Sequence, residues 1–99
     1  MNLIERNIEK LKKLCIKYNV FQLYIFGSVL NEHFNNESDI DFLVSFGKLE
    51  LEKYADNYFD FKFSLEDLFK RKIDLLEDKA IKNPFLRQSI NTSKKLIYG

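Results

Sequence analysis

Phe21-Gln22-Leu23-Tyr24-Ile25-Phe26-Gly27-Ser28, ten intervening residues, and then Asp39-Ile40-Asp41-Phe42-Leu43-Val44-Ser45-Phe46 form the stretch that decides the fold. An apolar run ends at a Gly-Ser pair, and a second apolar run opens with two carboxylates one residue apart. Side chains alternate between the two faces of a strand, so Asp39 and Asp41 point the same way while Ile40 faces the opposite side. Two carboxylates held that close repel each other unless a cation sits between them. Hard divalent ions such as Mg²⁺ take oxygen ligands and commonly bridge carboxylates to phosphates. Gly27 lets backbone approach a ligand closely, and Ser28 stands where a following helix offers N–H groups to an anion. Metal-binding carboxylates facing a phosphate cradle point to nucleotide chemistry.

Taken singly, each half of this pattern is weak. Many strand edges carry a solvated Asp-x-Asp, and Gly and Ser are ordinary turn residues. Together, at this spacing and between two strand-like runs, they make a motif whose test is its structural context. Decorative charge on a turn between strands leaves unexplained why two acids begin so apolar a strand.

Outward from that stretch the chain alternates helix and strand. Residues 3–18 read as an amphipathic helix, with Leu3, Ile4, Ile8, Leu11, Leu14, Cys15 and Tyr18 at three- and four-residue steps. The first strand is expected at about 21–26 and the second at 39–46, with Val29-Leu30 opening a short helix between them. A long helix is expected over about 50–70, where Tyr54, Tyr58, Phe61, Leu65 and Leu68 form a core-facing stripe. Phe59, Phe63 and Phe69 lie off that stripe, a surplus of aromatic surface. A third strand falls at about 72–76. Asn83 is a good N-cap with Pro84 at the first helical position, opening a last helix that reaches toward Lys95. The expected fold is α/β (α+β), a small mixed sheet of three or four strands with helices packed on it.

Composition narrows the functional classes. Ninety-nine residues fit one domain, here 1–99, and 45% hydrophobic content with a single Pro marks a globular chain. Sixteen basic residues against fifteen acidic ones leave a net charge of +1, which disfavours nucleic acid as the main ligand. With no apolar run of membrane-spanning length and no signal-peptide pattern, the expectation is a cytoplasmic protein without a membrane partner. Cys15, the single cysteine, falls on the apolar face of the first helix and reads as core filler. His33 is the only histidine, so a transition-metal site is disfavoured. Ser28 has no recognisable base for service as a covalent nucleophile.

Gly27-Ser28 and Asp39-x-Asp41, framed by apolar strands, resemble the signature of the DNA polymerase β-like nucleotidyltransferase superfamily. At this length the chain is similar to its minimal nucleotidyltransferases, the MNT antitoxins paired with HEPN-type ribonuclease toxins. Lys72-Ile73-Asp74-Leu75-Leu76 matches the family's third strand with its third carboxylate. Asn83-Pro84, Leu86-Arg87 and Ile97-Tyr98 match its C-terminal helical end. The resemblance covers most of the chain, although residues 48–70 carry little family-specific detail.

The resemblance implies an ATP- and Mg²⁺-dependent nucleotidyl transfer in which Asp39, Asp41 and Asp74 hold two ions, with Mn²⁺ as a substitute. The third acid should come from a neighbouring strand on the same face; Asp74 fits because Ile73 and Leu75 then point into the core, while Asp78 lies beyond the apolar run. Gly27 and Ser28 would bind the β- and γ-phosphates. The family's Arg-Gly pair after Gly-Ser is replaced here by Asn31 and Glu32, leaving Arg87 or Lys70-Arg71-Lys72 to supply a phosphate contact. The implied function is protein adenylyltransferase, AMPylating a HEPN toxin as the antitoxin of a type VII-like pair, in a hetero-oligomer, with Phe59 and Phe63 as a contact patch if exposed. Two alternatives remain: a non-catalytic antitoxin that neutralises its toxin by occlusion, and a small-molecule, aminoglycoside-like nucleotidyltransferase.

Overall fold

A computed structural model describes residues 2–27 and 39–99. The expected first helix is two: α1 (Asn2–Arg6) and α2 (Ile8–Lys17). Asn7 divides them because its side-chain amide donates to the Leu3 carbonyl at 2.9 Å, and its backbone N–H to Ile4 at 3.1 Å. Such local side-chain bonds compete with the helical ladder, which resumes when Leu11 N–H donates to Asn7. The apolar stripe crosses the break: Ile4, Leu11 and Cys15 are buried, with Leu3, Ile8, Leu14 and Tyr18 packed beside them. Burial pushes the Cys15 thiol up to about 12, as expected of an inert core residue.

Strand β1 (Val20–Phe26) follows, entered through Asn19 in the left-handed conformation at φ 57°. Strand β2 (Ile40–Phe46) lies antiparallel to it, with Leu23 opposite Val44 and Phe26 opposite Asp41. The long helix α3 (Leu51–Phe69) then crosses over to β3 (Ile73–Glu77), which pairs parallel with β2. A parallel pair needs such a crossover. A 3₁₀ turn (Asp78–Ala80) leads to α4 (Pro84–Ser93), capped as expected by Asn83 Oδ1, which accepts from Phe85 N–H at 2.8 Å and Leu86 N–H at 3.2 Å.

The chain then departs from the expected helical end. Lys95–Tyr98 is a strand, β4, antiparallel to β1, and the sheet order is β3-β2-β1-β4. Four residues are too few for any periodicity to declare itself; the open edge of β1 makes them a strand. The result is a mixed sheet of four strands, within the three or four expected.

Alternation sorts the sheet into two faces. One buries Leu23, Ile25, Ile40, Phe42, Val44, Ile73 and Leu75 against α2 and α3, whose Leu11, Cys15, Phe61, Leu65 and Phe69 complete the core. Phe61 meets Tyr18 and Phe46 with ring centroids at 5.8 and 5.9 Å. Phe69, expected off the core stripe, is buried and meets Phe42 at 6.0 Å, because the row Phe61, Leu65, Phe69 repeats every fourth residue down one side of α3. Two phenols tie α3 to β3: Tyr58 donates to the Leu75 carbonyl and Tyr54 to the Glu77 carboxylate. The opposite face carries Tyr24, Phe26, Asp41, Leu43 and Asp74 by the same alternation. Lys94, at the end of α4, sits 4.5 Å over the Tyr24 ring, so that face is partly covered. No helix among the described residues is long and apolar enough to cross a membrane.

Candidate active site

The candidate site grows from the place where three strands begin or end together. Asp41 is the second residue of β2 and stands between Phe26 of β1 and Asp74 of β3 in the two ladders. Cross-strand partners share a face, so Asp41 and Asp74 are side by side. Asp41 is half-buried, while Asp74 is exposed between the buried Ile73 and Leu75, the alternation expected for that run. Asp39 directly precedes β2, half-buried. Gly27 directly follows β1 at φ +78°, and a Cβ built there would run into Asp41 Oδ2. Ser28, with the Val29-Leu30 helix, Asn31, Glu32 and His33, lies outside the described residues.

The fit to a divalent cation can be argued from the donors themselves. Among the described residues, no three His, Cys, Asp or Glu side chains converge into a preformed metal cage. Mg²⁺ makes a different demand: it keeps several waters and is held by one or two carboxylates plus substrate phosphates. Two adjacent carboxylates, a third two residues along the chain, and a backbone without a side chain beside them suit that demand.

Tyr58 and Tyr54 stand behind β3. Burial holds the Tyr58 hydroxyl above its ordinary range, and the nearby Glu77 and Asp74 charges push it the same way. Tyr54 is raised by burial and by its hydrogen bond to Glu77. Both phenols thus stay protonated and keep donating to β3, the strand that carries Asp74.

Two of the cationic residues named as phosphate candidates, Arg87 and Lys70, have acidic partners. Arg87 Nη1 lies 2.5 Å from Asp78 Oδ1 and its Nη2 donates to the Asp78 carbonyl at 2.6 Å, so Asp78 and Arg87 lock the 3₁₀ turn to α4. Arg87 and Asp78 are thus engaged with each other. Lys70 ends α3 at φ 55° and pairs with Asp67 at 3.3 Å. It lines a groove of about 740 Å³ between α2 and α3, with Lys10, Leu14, Tyr18, Phe63 and Leu68. None of the candidate catalytic residues lines that groove. Phe59 and Phe63 of α3 are 49% and 58% exposed, their rings stacked 6.2 Å apart. That answers the question the sequence raised about the surplus aromatics. What sequence reasoning missed is the closeness of Gly27 to Asp41: no spacing rule reveals which side chain fills the room a glycine leaves.

A family model described as polymerase beta, nucleotidyltransferase, matches residues 9–99. A Methanocaldococcus jannaschii protein, provisionally named a protein adenylyltransferase, is 40% identical over 82 residues, covering 83% of this chain and 79% of the relative. A second protein of that organism with the same provisional description is 33% identical over 96 residues, covering 96% and 93%. A solved structure described provisionally as a minimal nucleotidyltransferase superposes with a TM-score of 0.76 at 24% identity, covering 96% of this chain and 95% of that one. A toxin–antitoxin complex with AMP-PNP gives 0.70 at 24% identity, covering 94% and 73%. A tri-AMPylated Shewanella oneidensis HEPN toxin in complex with an MNT antitoxin gives 0.62 at 21% identity, covering 96% and 71%. At such identities the solved structures attest the fold; the class of activity rests on the family model and the Methanocaldococcus relatives.

Proposed function

This chain belongs to the polymerase β nucleotidyltransferase family, and on that premise we propose that it is an ATP-dependent protein adenylyltransferase whose acceptor is a HEPN-type toxin. The observation that carries this is the pairing of Asp41 with Asp74 across the β2–β3 ladder, beside a glycine that leaves room at the end of β1. The provisional names of the Methanocaldococcus relatives supply the acceptor class, a protein. The toxin–antitoxin complexes among the structural neighbours suggest which protein.

Asp39, Asp41 and Asp74 would hold Mg²⁺. When bound, the ions offset negative charge on the attacking and leaving oxygens of the transfer. Gly27 and Ser28 would receive the β- and γ-phosphates, Gly27 through its bare backbone and Ser28 through its hydroxyl. A hydroxyl of the acceptor protein would bond to the α-phosphorus as the bond from that phosphorus to the pyrophosphate oxygen breaks, and the hydroxyl proton would pass to Asp74. Asp74 suits that role because it is the exposed member of the pair, within reach of a bulky partner.

The exposed Phe59–Phe63 pair gives the partner an apolar patch on α3, away from the acids. It also sustains a second reading, in which the protein neutralises its toxin by occlusion alone. Incubating the purified toxin with this protein, ATP and Mg²⁺ and weighing the intact toxin tests the first. Mass steps of one adenylyl group are expected. An unmodified toxin held in a stable complex would leave occlusion as the function.

A further inference from the structure

Two constraints meet at Gly27. Its φ of +78° lies in the left-handed region, which side chains other than glycine's adopt at a cost. Independently, the position its Cβ would take lies against the carboxylate of Asp41, with Oδ2 nearest, then Cγ at 3.2 Å and Cβ at 3.5 Å. The second constraint is not a matter of backbone strain. Asn19 and Lys70 show that this chain tolerates side chains at φ 57° and 55°. What separates Gly27 from them is what fills its missing side chain.

The filler is held from both sides. Asp41 is paired to Phe26, the residue before Gly27, through the β1–β2 ladder, and to Asp74 through β2–β3. Its backbone is therefore fixed by two neighbours, and its carboxylate can yield to an added methyl only by rotating. A rotated carboxylate no longer stands in the same relation to Asp74.

We infer that Gly27 is a positioning residue for Asp41: the space left by its absent side chain sets the orientation of that carboxylate, so the glycine governs divalent-cation binding before any nucleotide arrives. This rests on the proposed function, in which Asp41 holds a cation. It differs from the expectation that Gly27 serves only to admit phosphate.

The test uses the whole protein without nucleotide, titrated with Mn²⁺ and followed by the electron paramagnetic resonance signal of the free ion. Gly27→Ala should weaken Mn²⁺ binding by about 10–100-fold, the usual cost of disturbing a group that orients a ligand. Retention of wild-type Mn²⁺ affinity by Gly27→Ala, with ATP affinity lost, would overturn the inference and leave the glycine a phosphate residue. A metal-free measurement guards against a variant that folds poorly. The loss in urea midpoint on Gly27→Ala should shrink when Asp41→Ala is already present, since only the backbone strain then remains. Equal losses in both backgrounds would overturn the coupling. A Gly27→Ala protein that fails to fold until Asp41→Ala is added would support it. Wild-type protein that leaves Mn²⁺ free without nucleotide would overturn the role assigned to the glycine, and wild-type protein that leaves it free with ATP present as well would sink the cation-binding function itself.

Discussion

Asp41 and Asp74 are direct partners in the parallel β2–β3 ladder, one at the second residue of each strand. Like charges directly opposite on a sheet repel each other. A divalent cation held between the two carboxylates would offset that repulsion.

Divalent ions should therefore stabilise this protein. Millimolar Mg²⁺ or Mn²⁺ should raise the melting temperature of the wild type through preferential binding to the native state. The Asp39→Ala, Asp41→Ala double variant should lose that rise and, without metal, should melt at or above the wild type. Thermal denaturation with and without the ions, and with and without ATP, checks both halves. Wild-type melting indifferent to the ions in every case would remove the metal site.

Asp41→Asn separates catalysis from occlusion. The substitution is nearly isosteric, so fold and partner contact should persist. Transfer should vanish, because an amide replaces a carboxylate as a cation ligand. Cells expressing the toxin should be rescued by the wild type and not by the variant, with adenylylated toxin only in the former. Full protection by the variant, with unmodified toxin in complex, would establish occlusion.

Phe61 and Phe63 are two residues apart on α3 and should behave in opposite ways. Phe61→Ala should cost about 3–5 kcal/mol, since it empties the core between Tyr18 and Phe46. Phe63→Ser should change stability by less than about 0.5 kcal/mol, yet weaken the complex with the toxin. Urea unfolding and a binding titration read the two effects separately.

The two phenols behind β3 predict an alkaline limit. Tyr54 and Tyr58 both have hydroxyls raised above the ordinary value of about 10. A group whose folded pKa is raised contributes stability that is fully present below its unfolded pKa and is lost as pH rises through the folded one. Stability should hold up to about pH 10 and fall above it. Tyr54→Phe should cost about 0.5–1.5 kcal/mol at pH 7 and flatten part of the alkaline fall. Urea midpoints measured from pH 8 to 11 give the profile.

Arg87→Ala should loosen the turn held through Asp78, costing about 1 kcal/mol, while ATP affinity stays at the wild-type level. An equal loss of ATP affinity would return Arg87 to the phosphate site.

What was legible in the chain was what is written locally. The alternation around Asp41 and Asp74 declares which side chains share a face, and Asn83-Pro84 declares a helix start. Core membership along α3 was legible except at Phe69, whose burial depends on where Phe42 lies across the sheet. Nothing local announces β4, which exists because β1 has an edge to offer. Nor does periodicity see Asn7, since Leu3, Ile4, Ile8 and Leu11 keep their spacing across the break. The relation of Gly27 to Asp41 was hidden for a like reason: it spans two strands, and the motif that names both residues is silent about the distance between them.

The crossover through α3 has a consequence in time as well as in space. Asp41 and Asp74 are brought together only by a parallel pairing that must wait for a helix of 19 residues to form and dock. Loop closure of that kind comes late relative to hairpins and single helices, because its entropy is spent before its contacts repay it. A chain in which β3 has not paired with β2 thus keeps Asp74 apart from Asp39 and Asp41. The candidate site would then be complete only when the sheet is.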